Sequence, residues 1–268
     1  GDINNDGYDD IAIGDQNFIV HNGSTNYQGG ATYVYFGGAN MDTKADMNFK
    51  GNYIDEHFSH PSYVGDINGD GIDDLVIGAD GNSSAGYLYG GVFIYFGGKN
   101  IDTISDVSLY GFSIWDLFGY YVSSGDFNGD GINDIVVSAP SYNITGAAFV
   151  YFGGQKINTT PDLIVQKMGG GNGLYAFGAG DLNGDGYDDI IANSYDNEYG
   201  ANSSSAWIYL GGKTMDVQPD LKLHGWAADE WFSVVGIGDV NNDGFDDLLA
   251  VAPGNNTGGY LAGVASIY

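Results

Sequence analysis

The sequence predicts an all-β propeller of four-stranded antiparallel blades, and three observations carry that prediction. The motif Asp-x-Asn-x-Asp-Gly-x-x-Asp begins at Asp2, Asp66, Asp126, Asp181 and Asp239, at intervals of 64, 60, 55 and 58 residues. A second signature follows each copy, as Val34-Tyr35-Phe36-Gly37-Gly38, Ile94-Tyr95-Phe96-Gly97-Gly98, Val150-Tyr151-Phe152-Gly153-Gly154 and Ile208-Tyr209-Leu210-Gly211-Gly212, with a truncated Ser266-Ile267-Tyr268 at the end. Between them lie short β runs broken by turn residues, with no ten-residue stretch on a helical period. A fixed period with four short strands per unit is the sequence form of a propeller blade. A β-sandwich is the competing architecture, and it does not repeat one loop five times.

The stretch from His57 to Tyr110 shows the plan of a unit. A first strand over 58–64 leads into the Asp-rich loop, and 74–78 makes the second strand. Residues 92–96 make the third and 107–110 the fourth. The units run approximately 1–51, 52–111, 112–169, 170–225 and 226–268, in one propeller domain or a segment of one. Unit one begins at its loop without a first strand, and unit five stops inside its third strand. The expectation is a segment of a longer protein, or edges completed by a neighbour; self-assembly through strand addition at these incomplete blades follows as a reading.

Composition narrows the function. The chain has 35 acidic and 7 basic residues and a formal charge of −28, which excludes nucleic acid as a partner. All the basic residues are lysine, so no guanidinium clamps phosphate or carboxylate. There is no cysteine, hence no disulfide framework and no thiolate chemistry. No apolar run approaches the roughly 18 residues that cross a bilayer, so direct membrane insertion is not expected. All but three of the acids are aspartate, which favours turns and oxygen-ligand metal loops over helices.

The five loops offer hard oxygen donors at alternating positions. Asp126, Asn128, Asp130 and Asp134 supply side-chain oxygens with the Ile132 carbonyl between them, and Gly131 permits the bend. The same offsets give Asp2, Asn4, Asp6, Tyr8 and Asp10, then Asp66, Asn68, Asp70, Ile72 and Asp74. They recur as Asp181, Asn183, Asp185, Tyr187 and Asp189, and as Asp239, Asn241, Asp243, Phe245 and Asp247. The loop is not an EF-hand, because its twelfth positions, Ile13, Ile77, Val137, Ala192 and Ala250, are apolar. A metal-free Asx turn would explain one copy. Three like charges in each of five copies call for a cation between them, and the donor set suits Ca2+ better than Mg2+. About five structural Ca2+ ions would move the formal charge from −28 to −28 + 5 × 2 = −18.

The units resemble FG-GAP repeats, the blades of integrin α-subunit propellers and of microbial surface proteins. Phe118-Gly119 stands ahead of the loop at Asp126, and Ala139-Pro140 and Ala252-Pro253 follow second strands. Other units depart, with Phe58-Ser59, Phe232-Ser233 and Ala79-Asp80. The resemblance implies a propeller, usually of seven blades, with calcium between strands one and two on the lower face; a five-bladed ring is the alternative. It also implies an extracellular or cell-surface setting and an adhesion or interaction role. The lack of cysteine makes the chain more similar to a microbial secreted type than to animal subunits.

Six Asn-x-Ser/Thr sequons, at Asn22, Asn82, Asn143, Asn158, Asn202 and Asn255, are glycosylation candidates, five of them in the turn between strands two and three. Turns entering the first strands carry Tyr53, Asp55, Glu56, Trp115, Asp116, Trp226, Asp229, Glu230 and Trp231. Of these, Trp115, Asp116, Trp226, Asp229 and Trp231 are the candidates for an upper face that binds a protein or carbohydrate ligand. Wedging of the tryptophans between blades is the plainer role. No nucleophile–base constellation can be assembled and no Gly-x-Ser-x-Gly elbow occurs, so no catalytic residue is expected. A lectin-like propeller, and a polysaccharide-degrading enzyme on the same fold, are the alternatives.

Overall fold

The computed structural model describes residues 1–268 except 24, 87, 167–171, 196–200, 202, 226, 257, 260 and 261, and the side chains of 22 and 172. The described residues form strands and turns, with no helix. The first sheet comprises β1 (Ile11–Asp15), β4 (Ala31–Tyr35) and β5 (Met47–Lys50) in the order β1-β4-β5, and β2 (Ile19–Asn22) with β3 (Thr25–Gln28) forms a separate hairpin between β1 and β4. That hairpin is not part of the plan expected from the repeat. Its β-forming Ile19 and Val20 pair with Gln28 and Tyr27 across a turn in which Gly23 takes a positive φ of 62°.

Three four-stranded sheets follow, each an antiparallel meander in chain order. They are β6 (His60–Tyr63), β7 (Leu75–Ala79), β8 (Gly91–Tyr95) and β9 (Val107–Tyr110); β10 (Tyr121–Gly125), β11 (Asp134–Ala139), β12 (Ala147–Tyr151) and β13 (Leu163–Gln166); and β14 (Asn172–Gly180), β15 (Asp189–Tyr195), β16 (Ser205–Tyr209) and β17 (Leu221–His224). The last sheet has β18 (Ser233–Gly236), β19 (Leu248–Ala252) and β20 (Val264–Ile267). The three middle sheets are the four-stranded antiparallel blades of a β-propeller, and the first and last share their meander with three strands each.

The core sits between successive sheets. Leu75 and Ile77 of β7 pack back on Val34 and Phe49 of the first sheet, while Val76 between them packs forward on Val122, Val137 and Phe149 of the third. A strand covered on both faces reads as a continuous apolar run, which is why 75–77 and 135–137 show no alternation. Val136 and Val150 meet Leu174 and Ile190, and Ile191 and Ile208 meet Val234 and Leu248. Each such fully buried side chain contributes about 1.5–3 kcal/mol. Outer faces of the first and last sheets lack this cover, so Ile13 is 51% and Ile267 61% exposed.

The paired glycines after each third strand have separate reasons. A Cβ on Gly37, Gly97, Gly153 or Gly211 would lie 2.1–2.2 Å from a backbone carbonyl oxygen of the loop, that of Asp9, Asp73, Asn133 or Asp188. The second glycine of each pair takes φ of 133° to 153°, a region L-residues avoid. Gly153→Ala is therefore expected to cost about 2–3 kcal/mol in urea unfolding, because backbone must move. Gly131→Ala, at φ 86° with open space around it, is expected to cost only about 1 kcal/mol. An equal or reversed order would refute the close-approach account.

Candidate functional site

Each aspartate loop joins the first strand of its sheet to the second, or opens the first sheet, and its three carboxylates hold different backbone groups. At position one, Asp126 Oδ1 accepts N–H bonds from Gly129 at 2.7 Å and Asp130 at 3.0 Å, and Oδ2 accepts from Gly131 at 2.9 Å. Asp66 and Asp181 repeat this, and Asp2 and Asp239 accept from positions five and six. At position five, Asp6, Asp70, Asp130, Asp185 and Asp243 accept the N–H of Tyr8, Ile72, Ile132, Tyr187 and Phe245. These bonds wind the loop around its own carboxylates, and the positive φ at Gly131 and its equivalents allows the winding.

Position nine is the buried member. Asp134 Oδ2 accepts from Phe127 and Asn128, and Oδ1 accepts from Gly153 at 2.8 Å, so one side chain ties the loop to the third strand. Asp10, Asp74 and Asp189 make the same tie to Gly37, Gly97 and Gly211. In the last sheet Asp247 accepts from Val240 and from the Asn241 amide. Desolvation is the main cause that raises Asp10, Asp74, Asp134 and Asp189, helped by the other carboxylates of their loops. Asp74 and Asp134 are pushed up to about 7 and Asp189 to about 6, and Asp10 is raised in the same sense. Backbone N–H bonds, led by that of Gly244, hold exposed Asp239 below its usual range.

Position eight carries a tie the motif did not advertise. The carboxylates of Asp73, Asp188 and Asp246 accept the backbone N–H of Asp2, Asp126 and Asp181, each in the preceding loop. The Asn133 amide donates to the Val64 carbonyl in the same way. Gly98, Gly154 and Gly212 donate to the carbonyls of Ile3, Ile67 and Phe127 across the same junctions. The signal was visible as an Asp or Asn at every eighth position, 9, 73, 133, 188 and 246, yet its target lies in another repeat.

The donor set fits a hard divalent cation by chemistry. The Asn4 amide donates to Asp6 at 3.1 Å, while its Oδ1 is buried and has no hydrogen-bond partner. Among the described residues, the ion pairs are Gly1 with Asp9 and His57 with Asp80, and none of the described lysines neutralises a loop. Among the described residues, too, no three Asp, Glu, His or Cys side chains are gathered tightly enough to enclose an ion. The fit therefore rests on donor type, with the carboxylates at positions one, five and nine and the amide at three as the residues that would hold the metal.

At the opposite end of the sheets, the acidic residues of the entering turns are largely internal. Glu56, 1% exposed, accepts the N–H groups of Asn52 and Tyr53 and the amide of Asn82. Glu230 likewise accepts the amide of Asn255, at 2.6 Å. Asp116, placed by sequence on the ligand face, is 2% exposed and accepts from the Phe112 and Ser113 N–H groups and the Ser113 hydroxyl. Its carboxylate caps a turn rather than facing solvent. Trp115 and Trp231 are 57% and 46% exposed, and Asp229 is exposed too. Of the sequons, Asn143 and Asn158 are exposed and Asn82 is buried. Trp226, Asn202 and the Asn22 side chain lie outside the described residues.

Comparison with known proteins places these loops in a family. The FG-GAP repeat model matches residues 63–90 and 118–151, and an FG-GAP-like repeat model matches 181–250. Integrin alpha-V of Gallus gallus is 31% identical over 230 residues, 76% of this chain and 21% of that protein. Integrin alpha-5 of Xenopus laevis is 31% identical over 188 residues, 63% of this chain and 18% of that protein. Phosphatidylinositol-glycan-specific phospholipase D of Bos taurus is 33% identical over 146 residues, 48% of this chain and 17% of that protein. The matched region thus spans about a fifth of each relative. With the repeated loops and the stacked four-stranded sheets, these matches show that the chain belongs to the FG-GAP repeat proteins, as a run of β-propeller blades homologous to those of integrin α subunits.

Proposed function

We propose that this chain is a calcium-stabilised interaction module that works outside the cell and has no chemistry of its own. The observation that carries the reading is the loop itself: three carboxylates and an amide in five copies, without lysine partners among the described residues, at the junctions where one blade is tied to the next. A divalent ion there supplies positive charge and oxygen coordination that wound backbone N–H groups only partly provide. The integrin relatives match more of the chain than the phospholipase does, which favours binding over catalysis. A cell-surface setting agrees with calcium loops that fill where the ion is plentiful. No helix among the described residues is long and apolar enough to cross a membrane.

Elemental analysis of protein equilibrated with calcium is expected to find about five ions per chain, one for each loop. Chelation should lower the melting temperature by well over the ~4 °C that one lost small interaction produces. An unchanged melt removes the structural role for the ion.

In chelator, stability is also expected to fall as pH rises from about 4 to about 7. Asp74 and Asp134 titrate from 3.8 in the ordinary state to about 7 in the fold, so within that window the folded protein binds more protons than the unfolded chain. The melting temperature should drop by several degrees across the window, and saturating calcium should flatten the profile. A melt that rises with pH in chelator would contradict the burial of these acids.

Glycans belong on exposed turns in a secreted protein. Peptide mapping of protein made in a glycosylating host is expected to find modification at Asn143 and Asn158 and none at Asn82, whose amide is committed to Glu56. A glycan on Asn82 in folded protein would overturn that assignment.

A further inference from the structure

At the end of the sheets opposite the aspartate loops, the starts of β10, β14 and β18 and the end of β15 enclose a cleft of about 290 Å³. That is the scale of a pocket for one small ligand, since larger ligand sites reach roughly 1,000 Å³. Its walls are aromatic. Tyr121 lies 5.9 Å from Tyr175 and 5.4 Å from Phe177, and Tyr175 lies 5.8 Å from Tyr195, centroid to centroid. Trp231 closes the far side, and it, Tyr121 and Tyr195 are each nearly half exposed.

Two further features fix the chemistry of the occupant. Ser194 and Ser204 line the cleft, each 2% exposed, and neither hydroxyl oxygen has a hydrogen-bond partner. A buried hydroxyl left unpaired is a cost that a ligand oxygen removes. Among the described residues that line the cleft there is no Asp, Glu, Lys or His side chain. The chain's charge of −28 further disfavours acidic sugars.

We propose that this cleft binds a neutral saccharide unit, which stacks its C–H face on Trp231, Tyr121 or Tyr195 and, once the Ser194 and Ser204 side chains turn from their buried rotamers into the cleft, pairs its hydroxyls with them. Exposed aromatic planes beside unsatisfied hydroxyls match a ring that is apolar on its face and polar at its rim. Tyr120, 4.9 Å from Tyr121, also walls the two neighbouring depressions, one with Trp115 and Ile144 and one with His60 and Pro61. Units on either side of the bound one can therefore extend along the same aromatic strip. The proposal rests on the reading of the chain as an interaction module and names the ligand class of one of its faces.

The test is a panel of immobilised glycans probed with the calcium-loaded chain. The panel holds ligands ending in neutral hexose or N-acetylhexosamine, the same ligands ending in sialate or uronate, and a trimethylammonium conjugate. Retention on neutral termini alone is expected, with Trp231→Ala weakening it at least about tenfold and Ser194→Ala roughly three- to tenfold. Trp231 is exposed and Ser194→Ala removes one oxygen, so both variants should keep the parent's melting temperature. Retention on the trimethylammonium conjugate alone, on acidic glycans alone, or on nothing at millimolar ligand overturns the saccharide assignment. So does neutral-glycan binding that both variants leave unchanged. Mass analysis of the eluted glycan separates the two readings: cleaved product would end the non-enzymatic reading, whereas an intact glycan with variant-sensitive binding supports both.

Discussion

The structure depends on how a row of aspartates is held at the edge where blades meet. Each loop concentrates negative charge, and that charge is made useful by backbone N–H groups from three sources. The loop's own turn donates to positions one and five. The glycine after the third strand donates to position nine, and the start of the preceding loop donates to position eight. A carboxylate that accepts two or three N–H bonds in a buried setting is a strong and directional tie. Its cost is desolvation of the charge, which is why Asp10, Asp74, Asp134 and Asp189 resist ionisation.

That arrangement couples blades through more than apolar packing. Packing of Val76 on Val137 or Val136 on Leu174 is non-directional and would tolerate small rotations between sheets. The bonds from position eight and from the second glycine fix the angle, since they require a particular loop to meet a particular preceding loop. A divalent ion acting within the loop would stiffen the same element that carries the inter-blade ties, and would so link stability to metal content through one set of residues.

The face at the other end follows a different economy. There the acids Glu56, Asp116 and Glu230 cap their own turns, two of them with a sequon asparagine from the next turn. Exposed Asp55 and Asp229 remain on those turns, while the described residues lining the cleft at the starts of the inner strands are aromatic, polar or apolar without charge. A strongly acidic protein thus keeps one region where stacking and hydroxyl pairing outweigh charge.

The repeat was legible because backbone chemistry dictates it locally. A loop wound on its own carboxylates needs Asp at one and five, Gly at six and Asp at nine within a single stretch, and short β runs between turn residues announce strands without reference to the rest of the chain. The hairpin of β2 and β3 was not legible, because nothing in the other four units predicts an insertion. Nor was the fate of Asp116 or Asn82: exposed and buried carboxamides and carboxylates look alike in a sequence, and only the neighbouring turn decides which they become. The sequence by itself determined the blade, since each of its bonds joins residues close along the chain. Tertiary structure alone decided which blade touches which through position eight and which tyrosines share a cleft, because those contacts join residues some 50 to 70 positions apart, where no local pattern records them.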